Sequence, residues 1–255
     1  MTDTPSSPLS LPAQMGAQMR RAGDEMRCWV DVHDELCSHG QVRGAVLVMM
    51  VDVGAGWAAA AEAGPDWTFT VDIGIRRHPT RTDRFEGVPR VLRAGRTISV
   101  DLPIADADGN RSASGVSTFV RLPAQNGEPA PPYPDGIETN WPRAGAPLDQ
   151  LLDADVTADG LVVGLRPELL NPAGILQGGV AALLAELAAQ RTLEAATGVH
   201  LVVTSFDVRY VTMGRVGPIE AVAEPVGDRA AIVRLFDRGA GDALVTHNLI
   251  GFTEV

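Results

Sequence analysis

The amino-acid sequence predicts an α+β fold in which one long helix is wrapped by a curved antiparallel sheet, and it predicts this unit twice. The first observation is an internal repeat of domain size, because the two halves of the chain align without a gap around one segment. The aligned pairs are Gly40 with Gly174, Gly44 with Gly178, Val46 with Val180 and Asp52 with Glu186. The second observation is that each segment begins a helix that is apolar on all sides, so other elements must cover it.

Each half of the chain has the same order of elements. A short extended stretch leads through a turn that contains glycine into a helix, which starts near Gly44 in the first half and near Gly178 in the second. Alternating patterns then predict strands in TFTVDIGI, RTISVDLPI and SGVSTFVRL, and again in VVTSFDVRYV, AAIVRLF and ALVTHNLIGF. Turn signals at ADADGN and DRGAGD predict one hairpin in each half.

This order divides the chain into four regions. Residues 1–24 lack a signal-peptide pattern and are expected to form a disordered or irregular lead-in. Residues 25–123 form the first predicted domain and residues 148–255 the second. Between them, residues 124–147 are rich in proline and glycine without a period, which is typical of a linker on the surface.

Composition excludes several classes of function. A chain of 255 residues that is 45% hydrophobic can bury a sizeable core, whereas its net charge of -11 disfavours nucleic-acid binding. Cys28 and Cys37 form neither a disulfide framework nor a metal set, so a reduced cytoplasmic setting is expected, and the five histidines lack metal-ligand spacing. Asp52 interrupts the apolar stretch of residues 44–61, which favours a buried core helix over a membrane span.

Two segments carry a resemblance to a known family. NPAGILQGGVAALLAE and CSHGQVRGAVLVMMVDVGAGWA resemble the signature of hotdog-fold thioesterases of the phenylacetyl-CoA and hydroxybenzoyl-CoA type. That signature has Asn, a Gly and then His-Gly-Gly, with Asp or Glu nine residues after the His. The resemblance covers roughly residues 27–122 and 156–255. It implies a double hotdog whose domains pack as a pseudo-dimer, with the sheets joined into one surface and both helices on one side.

Helix geometry predicts how the two repeats combine. Gly178 and Glu186 are eight residues apart, which is roughly 12 Å along a helix, so one thioester carbonyl cannot contact both. A helix start that binds the carbonyl oxygen and a carboxylate that attacks it, or activates water, must therefore come from different helices. We expect a crossed arrangement, in which the Gly178 end meets Asp52 and the Gly44 end meets Glu186.

The site beside Gly178 is the better match to the family pattern. Asn171 and Gly179 occupy family positions, and Gln177 replaces the His as a neutral donor. The resemblance implies that Asp52 is the nucleophile or general base and that the N–H of Gly178 or Gly179 stabilises the oxyanion. Gln177 and Asn171 would position the thioester, although an Asn before a proline is as often a turn former.

The site beside Gly44 departs from the family pattern. Arg43 stands at the His position and Ala45 at that of the second glycine, so the site of Glu186, Gly44 and Arg43 is expected to be altered or inactive. Arg43 could pair with a carboxylate or with a pantetheine phosphate.

The function that these features imply is hydrolysis of an acyl-CoA or acyl-carrier thioester, with no cofactor and with the CoA thioester as substrate. No nucleic-acid or membrane partner is expected, whereas a homodimer of double-hotdog chains is possible for the family. One alternative is a non-catalytic acyl-CoA binding or sensor protein. A dehydratase or hydratase would need a His at the motif position, and a scaffold would use its carboxylates only to bridge helices.

Overall fold

The computed structural model describes residues 10–123, 129–130, 136, 138–158 and 160–255. The helices are α1 Leu11–Gln14, α2 Gly44–Ala63, α3 Leu148–Leu152 and α4 Gly178–Thr197. The strands up to α3 are β1 Gln18–Ala22, β2 Glu25–Asp31, β3 Cys37–Ser38, β4 Gln41–Val42, β5 Trp67–Arg77, β6 Arg84–Gly87, β7 Arg90–Arg93, β8 Thr97–Asp106 and β9 Arg111–Leu122. Those after α3 are β10 Asp155–Val156, β11 Gly160–Val163, β12 Leu201–Tyr210, β13 Ile219–Pro225, β14 Ala230–Asp237 and β15 Ala243–Glu254.

One large antiparallel sheet contains strands from both halves of the chain. Its order is β1-β2-β6-β8-β9-β5-β12-β15-β14-β13-β11-β10, with β7 paired to β8. On either side of the β5–β12 pair the strands follow the same order, because β2-β6-β8-β9-β5 in the first half matches β11-β13-β14-β15-β12 in the second. The joint itself is antiparallel, with Gly74 opposite Asp207 and Asp72 opposite Arg209. The two halves therefore share a continuous sheet.

The two long helices contact each other and pack on this sheet. Helix α2 contacts β2, β5, β8 and β9, whereas α4 contacts β11, β13, β14 and β15, and both helices reach β12. Glycine allows close approach of helix and sheet: a Cβ on Gly54 of α2 would lie 2.6 Å from Cys28 Sγ of β2. The element bounds confirm the predicted helix starts at Gly44 and Gly178. They also confirm the six strands that were predicted from alternation.

Helix α2 is the one helix among the described residues that is long and apolar enough to cross a membrane by length and composition. Its most apolar window is 72% buried within the fold. The first turns show why, because Val46, Leu47 and Val48 are all inaccessible to solvent. A helix that is apolar on all sides is satisfied here by the other helix and the sheet, as expected for a core helix.

The N-terminal prediction is wrong for the described part of residues 1–24. Helix α1 and strand β1 lie in this region, and β1 pairs with β2. Met15 and Met19 are fully buried, and burial of such side chains offsets the entropy cost of ordering the segment. The prediction rested on the absence of a signal-peptide pattern, which says nothing about whether the segment packs on the fold. Residues 1–9 lie outside the described residues.

The predicted linker at residues 124–147 is only partly described, and its described end is attached to the N-terminal segment. The N–H of Thr139 donates to the carbonyl of Met19 at 2.8 Å, and the Gln18 side chain bonds both backbone groups of Trp141. Ala144 is 5% exposed. This part of the segment therefore packs beside β1, and the prediction of a surface linker is incomplete.

The short strands β6, β7 and β13 were not predicted.

Candidate active site

Asp52 lies in the middle of α2 and is held by a side chain from each half of the chain. Thr70 Oγ1 of β5 donates to Asp52 Oδ1 at 2.9 Å, and Gln177 Nε2, at the start of α4, donates to Oδ2 at 2.9 Å. Burial raises the pKa of Asp52 to about 6, although both hydrogen bonds favour the ionised form and oppose the rise. The carboxylate can therefore accept a proton near neutral pH.

Gln177 links this carboxylate to the beginning of α4. Its side-chain oxygen accepts hydrogen bonds from the N–H groups of Gly179 at 2.6 Å and Val180 at 3.1 Å, so Gln177 is the N-cap of the helix. The same amide then has its nitrogen free to donate to Asp52. The Gly179 N–H predicted as an oxyanion donor is already used in this cap.

Gly178 stands where the two halves approach most closely. A Cβ at this position would lie 3.0 Å from Asp52 Oδ2 and 2.7 Å from the Tyr210 hydroxyl, so a side chain there would displace both. The Gly178 N–H donates no hydrogen bond to any residue that the structure describes. Among the two predicted backbone donors, Gly178 is thus the one that remains available.

Tyr210 is a functional candidate that the sequence did not reveal. Its hydroxyl is buried and has no hydrogen-bond partner among the described residues, which is uncommon for a buried polar group. Burial, and then the negative charge of Asp52, raise the pKa of Tyr210 well above its usual range. The phenol stays protonated and can donate. In the sequence, its position in a strand of alternating polarity does not distinguish it from a structural residue.

A cavity of about 710 Å³ opens onto Asp52 and its two hydrogen-bond partners. Its lining includes Asp52, Thr70, Gln177 and Asn171, whereas Gly178, Gly179 and Tyr210 are not among the residues that line it. Aromatic walls come from α2, from β9 and from the segment that packs beside β1; they are Trp57, Phe119 and Trp141. This mixture of apolar walls with a few polar groups is typical of a small-molecule site.

Asn171 faces the cavity but also has a local structural use. Its side-chain oxygen accepts hydrogen bonds from the N–H groups of Ala173 at 2.9 Å and Ile175 at 3.2 Å. These bonds form the turn that leads to Gln177 and α4. The turn-forming alternative is therefore realised in the structure.

The second crossing pairs Glu186 of α4 with the start of α2. The N–H groups of Gly44 and Ala45 donate to the two oxygens of Glu186 at 3.2 and 2.6 Å, and Arg43 Nη1 lies 4.0 Å from Oε1. Burial raises the pKa of Glu186 against the opposing charge of Arg43. The side chain is 3% exposed. Here the carboxylate itself occupies the amides that an oxyanion would need.

The surroundings of this second crossing are closed. A Cβ on Gly44 would lie 2.6 Å from the side chain of Val203, which covers the helix start. Arg43 is 7% exposed and donates to Gln190 Oε1 at 3.1 Å, while Asp149 lies 4.0 Å away. Arg43 thus pairs with protein groups. Pairing with a carboxylate was one of the two alternatives that the sequence left open, and a pantetheine phosphate was the other.

Comparison with solved structures identifies the fold. An acyl-ACP thioesterase from Bacteroides thetaiotaomicron is 13% identical with a TM-score of 0.65, covering 89% of this chain and 97% of that one. The TesB protein of Mycobacterium avium subs paratuberculosis is 13% identical with a TM-score of 0.64, covering 96% and 98%. An Alicyclobacillus acidocaldarius protein described as having the hot dog fold is 12% identical with a TM-score of 0.56, covering 96% and 97%.

By sequence, no family model and no curated protein matches the chain. Likeness at such low identity shows architecture, and that architecture is the hotdog fold: long helices against a large antiparallel sheet. The hotdog fold that the two sequence segments imply is therefore confirmed.

Proposed function

We propose that this chain is a thioesterase that hydrolyses an acyl-CoA or acyl-carrier thioester. The observation that carries the proposal is the hydrogen-bonded group of Asp52, Thr70 and Gln177 beside the cavity, assembled from both halves of the chain. We further propose that the halves are tandem hotdog repeats packed like the subunits of a dimer. The shared strand order and the central β5–β12 pair support this arrangement.

Asp52 acts as a general base in this proposal. Its two oxygens each accept a hydrogen bond, from Thr70 and Gln177, which fixes the carboxylate and leaves it lone pairs for a water proton. The water oxygen attacks the thioester carbonyl carbon, and the carbon–sulfur bond then breaks. The thiolate leaves with the proton that Asp52 received, giving a free acid and a thiol.

The negative charge that develops on the carbonyl oxygen requires donors nearby. The Gly178 N–H is available at the positive end of α4, and the Tyr210 hydroxyl is close to the same glycine. We propose that these two groups stabilise the oxyanion when substrate enters. The cap formed by Gln177 holds the helix start in place for this purpose.

The acyl group would occupy the 710 Å³ cavity against Trp57, Phe119 and Trp141. Its aromatic walls suit a hydrophobic acyl or aryl group. The Glu186 crossing would have only a structural role, because its carboxylate fills its own helix start. The proposal is therefore one active site per chain.

The test compares two matched substitutions, Asp52→Asn and Glu186→Gln, in a thiol-release assay over short, long and aromatic acyl-CoAs. Removing the base should lower kcat by about 10²- to 10⁴-fold in Asp52→Asn. Glu186→Gln should keep kcat within about threefold of wild type, measured below the melting temperature of that variant. Circular dichroism spectra verify that both variants are folded.

Full activity of Asp52→Asn would refute the assignment of the base. If wild type binds acyl-CoA at equilibrium but releases no thiol from any substrate, the proposal fails in favour of a non-catalytic binding protein. Equal losses in both variants would contradict the proposal of a single active site.

A further inference from the structure

Three potential metal ligands meet on the surface where the two halves adjoin. His39 is at the tip of the β3–β4 hairpin, Glu194 is in the last turns of α4, and His200 directly precedes β12. His39 Nε2 lies 2.8 Å from Glu194 Oε1, and the two imidazole rings are 4.1 Å apart between centroids. One ligand atom of each residue lies within 4.8 Å of the other two.

We propose that His39, Glu194 and His200 bind a divalent transition-metal ion of the zinc type. Two imidazole nitrogens and one carboxylate oxygen are ligands that Zn²⁺ accepts, with water completing a tetrahedral set. Mg²⁺ and Ca²⁺ prefer oxygen ligands, so the two histidines disfavour them. The site is separate from the proposed active site and does not depend on its function.

Glu194 is held in the orientation that a ligand needs. Its Oε1 accepts hydrogen bonds from the Leu201 N–H at 2.8 Å and from Gln190 Nε2 at 3.0 Å. Its Oε2 has no hydrogen bond within the described part of the chain. Donors that fix one oxygen while the other stays free are typical second-shell support for a ligating carboxylate.

The histidines can adjust to an ion. Ligand atoms at about 2.0–2.2 Å from zinc lie roughly 3.3 Å from one another in a tetrahedral site. His39 Nε2 now contacts Oε1 at 2.8 Å, so it must leave that oxygen and move to about this distance from Oε2, the oxygen that is free to bind the ion. Both histidines are exposed, and His39 is on a two-residue turn with Gly40, where it has a positive φ of 50°. An exposed side chain at a hairpin tip can make this movement at little cost.

A bound ion would join the two halves of the chain. His39 precedes α2 in the first half, whereas Glu194 and His200 belong to the second. An ion that binds only the folded arrangement stabilises it by mass action. The consequence is a melting temperature that depends on zinc concentration.

The experiment uses the full chain, freed of any affinity tag and treated with EDTA, in thermal melts with ZnCl₂ or MgCl₂. With zinc at 100 times its dissociation constant, we expect the melting temperature to rise by about 5 °C. Magnesium at the same concentration should leave it unchanged. Isothermal titration calorimetry should give one zinc ion per chain.

His39→Ala and His200→Ala should each lose most of the zinc-dependent rise. Matched controls are His78→Ala, an exposed histidine outside the triad, and Cys37→Ser, which removes the half-buried thiol; both should keep the rise. If an alanine variant does not fold, His200→Gln replaces it. No rise in wild type, or a full rise in a folded His200 variant, would overturn the proposal.

Discussion

The two crossings between the long helices place a carboxylate beside a helix start in both cases, yet they use it differently. At the first, Asp52 accepts hydrogen bonds from two side chains, Thr70 and Gln177. At the second, Glu186 accepts from two backbone N–H groups and lies near Arg43. The first crossing adjoins a cavity, whereas the second is closed by Val203.

The difference arises from what caps each helix. The first N–H groups of a helix need an acceptor from outside the helix. Gln177 provides one for α4, so Asp52 is released from that task and keeps capacity for a water proton. Helix α2 has no such side chain at Arg43, and Glu186 becomes the acceptor. One residue at the N-cap thus separates a carboxylate that is proposed to act as a general base from one with a structural role.

The largest expected effect is on stability at the closed crossing. Glu186→Ala leaves two helix N–H groups without their acceptor and removes one of the two carboxylates within 4.0 Å of the buried Arg43 guanidinium, and breaking such a buried pair costs about 3–5 kcal/mol. Urea unfolding at pH 7.5 measures it. The size of this loss tests whether Glu186 has a structural role.

Asp52→Asn changes the carboxylate at the open crossing. Its effect on the free energy of unfolding is expected to have the opposite sign to that of Glu186→Ala. The folded-state pKa of Asp52 is about 6, above the usual 3.8, so the folded chain binds this proton more tightly. Stability therefore falls as pH rises from 3.8 to 6, by up to about 3 kcal/mol. Asn avoids this penalty, so the variant should be at least as stable as wild type at pH 7.5, with the gain absent at pH 3.5. Equal destabilisation by both substitutions would contradict the comparison.

A smaller effect is expected from the hydroxyl that only the open crossing contains. Tyr210→Phe removes a proposed oxyanion donor, so kcat should fall by about 10- to 100-fold with KM nearly unchanged. Stability should not fall, because the hydroxyl has no partner to lose among the described residues. Steady-state kinetics and thermal melts of the same preparation measure both. A variant with wild-type kcat would remove Tyr210 from the proposed mechanism.

The repeat made the overall arrangement predictable. Once Gly44 and Gly178 were aligned, the start of each long helix followed, and the crossing of their ends followed from helix length together with the chemistry that the family resemblance implies. The strands of strong alternation were predictable for the same reason. Strands β6 and β7 have four residues each, too few to show a period, and β1 is ordered by the burial of Met15 and Met19.

The details of the site depend on contacts between distant parts of the chain. The cap that Gln177 forms with the Gly179 N–H was not predicted, because a side-chain cap at the helix start cannot be distinguished from a free donor in a sequence. Tyr210 and Thr70 lie in ordinary alternating strands, so nothing in their neighbourhood marks them. Likewise, His39 and His200 are far apart in sequence and become neighbours only through the crossing of the halves.

The smallest effect is expected from loss of the hydrogen bond that Thr70 donates to Asp52. It sharpens the comparison of the two crossings, because Glu186 has no equivalent side-chain hydroxyl donor among the described residues. Thr70→Val keeps the shape but removes a donor that favours ionised Asp52, so its pKa should rise from about 6 by about one unit. Since the base must be ionised, kcat/KM falls about tenfold per pH unit below this pKa. The acid limb of the pH–rate profile should therefore move to higher pH, and kcat/KM at pH 7 should fall only about twofold.

Thr68→Val is the matched control, because Thr68 lines the same cavity without a hydrogen bond to Asp52. Its acid limb should coincide with that of wild type. If instead both variants shift the limb equally, the cause is the polarity of the cavity as a whole. If neither does, the titrating group is not the carboxylate that Thr70 contacts. A shift that occurs only in Thr70→Val assigns the measured pKa to Asp52 at the open crossing, because Thr70 donates a hydrogen bond to that carboxylate and Thr68 does not.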